Sequence, residues 1–287
     1  MRVIPFEHLP PGFAERIDSP PDPPATPLPA ATAVLLREGE AGPEVLLLRR
    51  NRSSGFVPGA YVFPGGRVDA ADGAPAALAR LEGWDPGREP AAPYILAAVR
   101  EVLEETGVLL ARDAAGRPAP DSRAPEVARW RTALLEDRAT LADALEALDL
   151  RVMAADMVYC AHWITPAAEP RRYDTRFFLA RLPAGAEADL HTPELTDAVW
   201  LSPAEALARF RAGGLPMVFP TVHTLESLAP FRSVADALDV FRGCTVAPIL
   251  PRLVRTPEGV AIVVDGEGAG EGAPPPWPRI PGGGEGG

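Results

Sequence analysis

The sequence predicts a layered α/β fold, and three observations carry that prediction. Short runs rich in Val, Leu, Tyr and Phe alternate along the chain with segments of helical apolar spacing. The 287 residues, 47% of them hydrophobic, are enough to bury a substantial core. Glycine and proline, 26 and 35 residues, gather at the two ends. The ends therefore read as extended tails over 1–29 and 266–287, flanking one domain over 30–265.

Each element has its own signal. Thr32 to Arg37 and Glu44 to Arg50 read as a strand pair about a turn at Gly39 to Pro43. The stretch 73–99, with Gly73, Pro75, Gly83, Pro86, Gly87, Pro90 and Pro93, reads as a loop holding one helical turn at Ala76 to Leu81. Tyr94 to Thr106 reads as a helix, because Ile95, Val99, Val102, Leu103 and Thr106 follow the i, i+4, i+7, i+8 spacing of a buried stripe. Pro93 can start it and Gly107 can stop it. A helical insertion over 122–150 follows in two segments, marked by Trp130, Leu134 and Leu135 and then by Leu141, Leu145 and Leu148. Met157 to Ile164 and Tyr173 to Leu182 form a second strand pair, and Asp197 to Leu201 a short strand. Pro203 to Ala212, capped by Ser202, and Val234 to Phe241 are helices; Val246 to Val264 ends the domain as a strand or hairpin. No internal repeat is present.

Charge narrows the function. The net charge is −11 and the chain has no lysine, so all 28 basic residues are arginine. That balance argues against nonspecific binding to nucleic acid or to anionic membranes. An anionic substrate must be met locally, by arginine and metal. Neither a signal peptide nor a run of 18 apolar residues is present, so no membrane association is expected. Cys160 and Cys244 lack CxxC spacing and read as free thiols of a cytoplasmic protein. His8, His162, His191 and His223 are scattered and read as packing or surface residues. The oligomeric state stays open.

The most informative stretch is Arg100 to Val108. Glu101, Glu104 and Glu105 stand at i, i+3 and i+4 on one face of the helix, where each close like-charge pair costs about 0.2 to 0.5 kcal/mol. The last two also face the negative end of the helix dipole. A bound Mg²⁺ or Mn²⁺ reverses the sign of these terms, since hard cations want clustered carboxylate oxygens. Taken alone, such a triplet more often marks a solvated acidic face.

Its surroundings decide otherwise. With Gly65, Gly66 and Asp72 upstream, the stretch resembles the Nudix box, G-x5-E-x7-R-E-U-x-E-E-x-G-U with U aliphatic: Gly66 matches the first glycine, and Arg100 to Val108 match the final segment. Asp72 replaces the box's first glutamate, and 27 residues, Gly73 to Val99, stand where the pattern has seven. A loop can grow this way cheaply, since closure cost rises only with the logarithm of length. A box interrupted at this place is similar to the peroxisomal-type branch of coenzyme A diphosphatases. The segments Gly55 to Asp69, Arg171 to Phe178 and Ala198 to Ala206 extend that likeness. The upstream pattern of coenzyme A hydrolysing Nudix enzymes, L-L-T-x-R-S-x3-R-x3-G-x3-F-P-G-G, is matched by Leu46, Leu47, Arg50, Gly59, Phe63, Pro64, Gly65 and Gly66. Leu48, Asn51 and Gly55 depart from it.

The resemblance implies an α/β/α sandwich with a mixed sheet and extra helices, and hydrolysis of a nucleotide diphosphate, with coenzyme A or acyl-coenzyme A as the leading substrate. ADP-ribose or a dinucleotide is the alternative substrate, and a non-catalytic binding module the alternative class. It implies Glu101, Glu104 and Glu105 as metal ligands with the carbonyl of Gly66, and Arg100 as the residue orienting a glutamate. A general base would come from the metal helix or from Glu194 or Asp197 on a later loop. Arg50, Arg67 and Arg172 are the leading phosphate contacts, with Arg49, Arg52, Arg171 and Arg176 as further candidates. Tyr61 is placed to stack on a base, while Phe63 and Trp200 suit the core.

Overall fold

The computed structural model describes residues 2–5, 13–51, 59–87, 89–189 and 195–264. The chain opens with strand β1 (Arg2–Pro5) and helix α1 (Phe13–Asp18), then the long hairpin of β2 (Leu28–Gly39) and β3 (Gly42–Arg50). Short strands β4 (Tyr61–Val62) and β5 (Gly65–Arg67) precede a 3-10 turn at Ala70–Gly73, helix α2 (Pro75–Leu78) and β6 (Leu81–Glu82). Helix α3 (Ala92–Thr106) is followed by α4 (Pro125–Leu135), α5 (Leu141–Ala147) and β7 (Val152–Met153). Strands β8 (Val158–Ile164), β9 (Tyr173–Arg181) and β10 (Leu195–Leu201) lead to helices α6 (Pro203–Arg211), α7 (Phe219–Leu228) and α8 (Val234–Arg242). Strands β11 (Pro248–Ile249), β12 (Arg252–Thr256) and β13 (Gly259–Val263) end the described chain.

The main sheet has the order β10-β3-β2-β9-β8-β11, with β4 on β3 and β5 on β2. It is mixed: β2 runs parallel to β9 and β11 parallel to β8, and the other pairs are antiparallel. Period-two alternation divides each strand between two cores. Ala31, Ala33, Leu35, Leu46 and Leu48 pack with α2, α3, α4 and α5, whereas Val34, Leu36, Val45 and Leu47 pack with α6, α7 and α8. The sandwich and the mixed sheet are as expected.

Helix α3 is set by burial. Leu96, Val99, Val102 and Leu103 are fully buried, each contributing about 1.5 to 3 kcal/mol. That outweighs the repulsion among its glutamates several-fold. Gly107, at φ 72°, ends the helix in the left-handed region and returns its N–H to the Leu103 carbonyl at 2.9 Å.

Two expectations need correction. The segment 1–29 is not simply an extended tail: β1 pairs antiparallel with β13, and α1 lies beside β12, where Asp18 pairs with Arg255. A four-residue edge strand has too few positions to show a period, so the sequence hides it. The stretch 73–99 is more than a loop, because α3 already starts at Ala92 and β6 pairs parallel with β7, tying it to the helical insertion. The tail over 266–287 lies outside the described residues, and no described helix is long and apolar enough to cross a membrane.

Candidate active site

The site forms where β5 and the 3-10 turn at Ala70–Gly73 meet the outer face of α3. Gly66 is pressed against Glu101: a Cβ built there would lie 2.4 Å from Glu101 Oε1. No larger residue fits without moving the carboxylate. On the next turn of α3, Glu105 Oε2 accepts the N–H of Gly65 at 3.0 Å. The two glutamates thus grip two successive glycines of one strand.

Arg100 organises the rest, and all five of its N–H groups find acceptors. Nε and Nη2 fork onto Asp72 at 3.1 and 3.2 Å, and Nη2 also donates to the Arg67 carbonyl at 2.7 Å. Nη1 donates to Glu101 at 2.9 Å and to Glu104 at 3.3 Å. Burial alone would lower the guanidinium's pKa, but the Asp72 bond and the charges of Glu101, Asp72 and Glu104 raise it. The residue is 8% exposed and has no donor left for a substrate. Asp72, 2% exposed, also accepts the N–H of Asp69 at 2.8 Å. A shorter acid therefore serves as a structural anchor where the box has a glutamate. Arg100 thus contacts two of the glutamates, Glu101 and Glu104, although its bidentate partner is Asp72.

Burial pushes the Glu101 carboxyl up to about 7 against the opposing pull of Arg100, with Glu104 and Asp72 adding to the rise. Glu104 is raised too, by burial, with Arg100 opposing. Two crowded carboxyls whose charged forms are disfavoured by burial form a hard-oxygen set whose charge a divalent cation would neutralise. The residues therefore fit a metal. In the present side-chain arrangement, no group of three or more acidic, His or Cys side chains among the described residues converges closely enough to enclose one. Arg100 stands between Glu101 and Glu104, and Glu105 is turned to Gly65.

A further support was not read from the sequence. Arg131, on α4 and 6% exposed, donates from Nε to the Glu104 carbonyl at 3.0 Å and from Nη2 to the Glu105 carbonyl at 3.2 Å. Nη1 pairs with Asp189 at 3.1 Å, and the Asp189 N–H donates to the Thr106 carbonyl at 2.7 Å. One buried cation thus caps the carbonyl end of the glutamate helix, where the helix dipole favours positive charge. A signal existed: Val127, Arg131 and Leu134 stand at i, i+4, i+7, which puts an arginine on the buried stripe.

The other expected contacts divide. Arg67, Arg171 and Arg172 share one groove. Arg50 is elsewhere, at the end of β3 with its Nε buried. Arg176 is 9% exposed and tied to Asp174 at 2.6 Å and to the Tyr94 hydroxyl at 3.0 Å, which removes it from the phosphate contacts. Tyr61 is also corrected: its ring is 6% exposed in the core and its hydroxyl donates to Asp197 at 2.6 Å, so it offers no face to a base. Phe63 is buried as expected, and Trp200 is half-buried beneath the Arg37 guanidinium. Glu194 and Arg52 lie outside the described residues.

Comparison with known proteins shows what the chain is similar to. The family described as the NUDT19 Nudix domain matches residues 89–228. Acyl-coenzyme A diphosphatase NUDT19 of Gallus gallus is 31% identical over 240 residues, covering 67% of this chain and 63% of that protein. A Caenorhabditis elegans protein bearing a nudix hydrolase name is 30% identical over 212 residues, covering 74% of this chain and 64% of its own length. The chain thus spans just under two thirds of these two relatives. The crystal structure of a NUDIX hydrolase from Alicyclobacillus acidocaldarius superposes with a TM-score of 0.66 at 31% identity, covering 75% of this chain and 96% of that one. Nudix hydrolases generally use divalent metal ions. With the final segment of the box from Arg100 to Val108 complete and the same fold as that hydrolase, the chain belongs to the Nudix hydrolase family.

Proposed function

We propose that the chain hydrolyses the diphosphate of coenzyme A or an acyl-coenzyme A, giving 3′,5′-ADP and the corresponding 4′-phosphopantetheine, with Mg²⁺ or Mn²⁺ as the metal. The observation that carries the chemistry is the closure of Gly66 on the partly buried carboxylate of Glu101. The substrate rests on the acyl-coenzyme A diphosphatase name of the chicken relative. A metal at this site would supply charge neutralisation on the diphosphate and an activated water. Glu101, Glu105 and Glu104 would hold it, together with the Gly66 carbonyl.

This chain's own residues do the positioning. Arg100 fixes Glu101 and Glu104, and Arg131 fixes the carbonyl end of their helix. Attack by water forms one phosphorus–oxygen bond as the bond to the bridging oxygen breaks, and each product leaves as a phosphate monoester. A cytoplasmic setting is part of the proposal, supported by the free thiols Cys160 and Cys244.

The test compares kcat/KM for coenzyme A, dephospho-coenzyme A and ADP-ribose with Mg²⁺ or Mn²⁺, identifying products by mass. Coenzyme A is expected to lead. ADP-ribose cleaved tenfold faster, about 1.4 kcal/mol in transition-state binding, would reject the substrate while leaving the diphosphatase chemistry standing.

A further inference from the structure

Arg67, Arg171 and Arg172 line one groove of about 410 Å³ with Thr26, Leu28 and Tyr173. The sheet brings them together: Leu28 lies opposite Tyr173 where β2 meets β9, and Arg67 lies opposite Ala30 at the end of β5. Arg172 is 8% exposed, its Nε donating to the Thr165 carbonyl at 2.9 Å and its Nη1 to the Ala25 carbonyl at 2.8 Å. Those neutral acceptors aim the guanidinium without compensating its charge. Among the described residues, no carboxylate lies within 4.0 Å of any of the three guanidinium groups.

For Arg172 that is anomalous in this chain. With a net charge of −11, acids are plentiful, and the other buried arginines among the described residues are each paired, Arg100 with Asp72, Arg131 with Asp189 and Arg176 with Asp174. A buried cation left without a counter-ion costs several kcal/mol. Three arginines sharing one groove and no acid form a site for a small, multiply charged anion, and the guanidinium fork suits phosphate.

The geometry points to this groove as the subsite for a phosphate monoester of the substrate, separate from the diphosphate being cut. Resting on the coenzyme A reading, that group is the 3′-phosphate of the adenosine end. Arg67 follows Gly66 by one residue, a rise of about 3.3 Å, and alternation turns its side chain away from Glu101. Strand β5 pairs only with β2 among the described strands, and it carries both Gly66, which meets Glu101, and Arg67, which lines the groove.

The experiment measures kcat/KM for coenzyme A and dephospho-coenzyme A in the full chain and in Arg67→Ala and Arg171→Ala. The wild type is expected to favour coenzyme A by tenfold or more, and each substitution to cut that ratio by about tenfold. A ratio within twofold of wild type in both variants overturns the groove while the coenzyme A reading survives. Calorimetric titration of 3′,5′-ADP and 5′-AMP into metal-free protein judges the groove independently of turnover. Tighter binding of 3′,5′-ADP that is lost in Arg171→Ala supports it even if coenzyme A is not cleaved. Equal binding of the two nucleotides overturns it.

Discussion

Two regions of this molecule use the same side chain to opposite ends. At the glutamate helix, Arg100 and Arg131 are buried and wired to carboxylates and carbonyls. In the groove at the start of β9, Arg67, Arg171 and Arg172 meet no carboxylate among the described residues. The difference separates scaffolding from recognition. An arginine whose donors are all consumed holds catalytic groups in place, whereas one held by neutral carbonyls or left in solvent keeps its charge for an anion.

The largest effect is expected at the hub. Arg100→Ala leaves Asp72 buried with an uncompensated charge, and breaking such a pair costs about 3 to 5 kcal/mol. Denaturant melts should record that loss. A variant as stable as wild type would mean that Asp72 is not held as described.

The second effect concerns pH and the same cluster. Because burial raises the folded pKa of Glu101 from the ordinary 4.5 to about 7, its protonated form favours the folded state. The metal-free chain should therefore lose stability, on the order of 3 kcal/mol, as pH rises from about 4.5 through about 7. The difference curve between wild type and Glu101→Gln isolates this contribution. A flat difference curve would place Glu101 outside the buried cluster.

Smaller still is Arg131→Lys, which keeps the charge but loses the fork, at about 1 to 3 kcal/mol. Because the freed carbonyls belong to Glu104 and Glu105, kcat should fall with KM little changed. The smallest effect on stability is expected in the groove: Arg171→Ala, at a residue exposed and without a carboxylate partner among the described residues, should stay within about 0.5 kcal/mol of wild type. A large loss there would erase the contrast between the regions.

The glutamate helix was legible in the sequence because one stripe of apolar residues and one turn of acids share a 3.6-residue period, and Gly107 marks the stop. The box glycines were legible as a motif, although the sequence could not show that Gly66 closes on Glu101. Three features needed the fold. Asp72 reaches Arg100 across 27 intervening residues, and such a contact leaves no local trace. Tyr61 and Arg176 have side chains suited to a ligand, but burial and the partners Asp197 and Asp174 assign them to the scaffold. Strand β1 is too short for periodicity, and only its pairing with β13 defines it.

The central claim, that the carboxylates on α3 drive metal-dependent cleavage of a diphosphate, is tested most directly by Glu105→Gln. Its Oε2 accepts the Gly65 N–H, a bond that an amide oxygen can still accept. Coenzyme A turnover with Mg²⁺ should drop by roughly a hundredfold or more, while thermal melts without metal stay level or rise slightly as helix repulsion is relieved. A Glu105→Gln enzyme with wild-type turnover and an unchanged metal dependence would contradict the account.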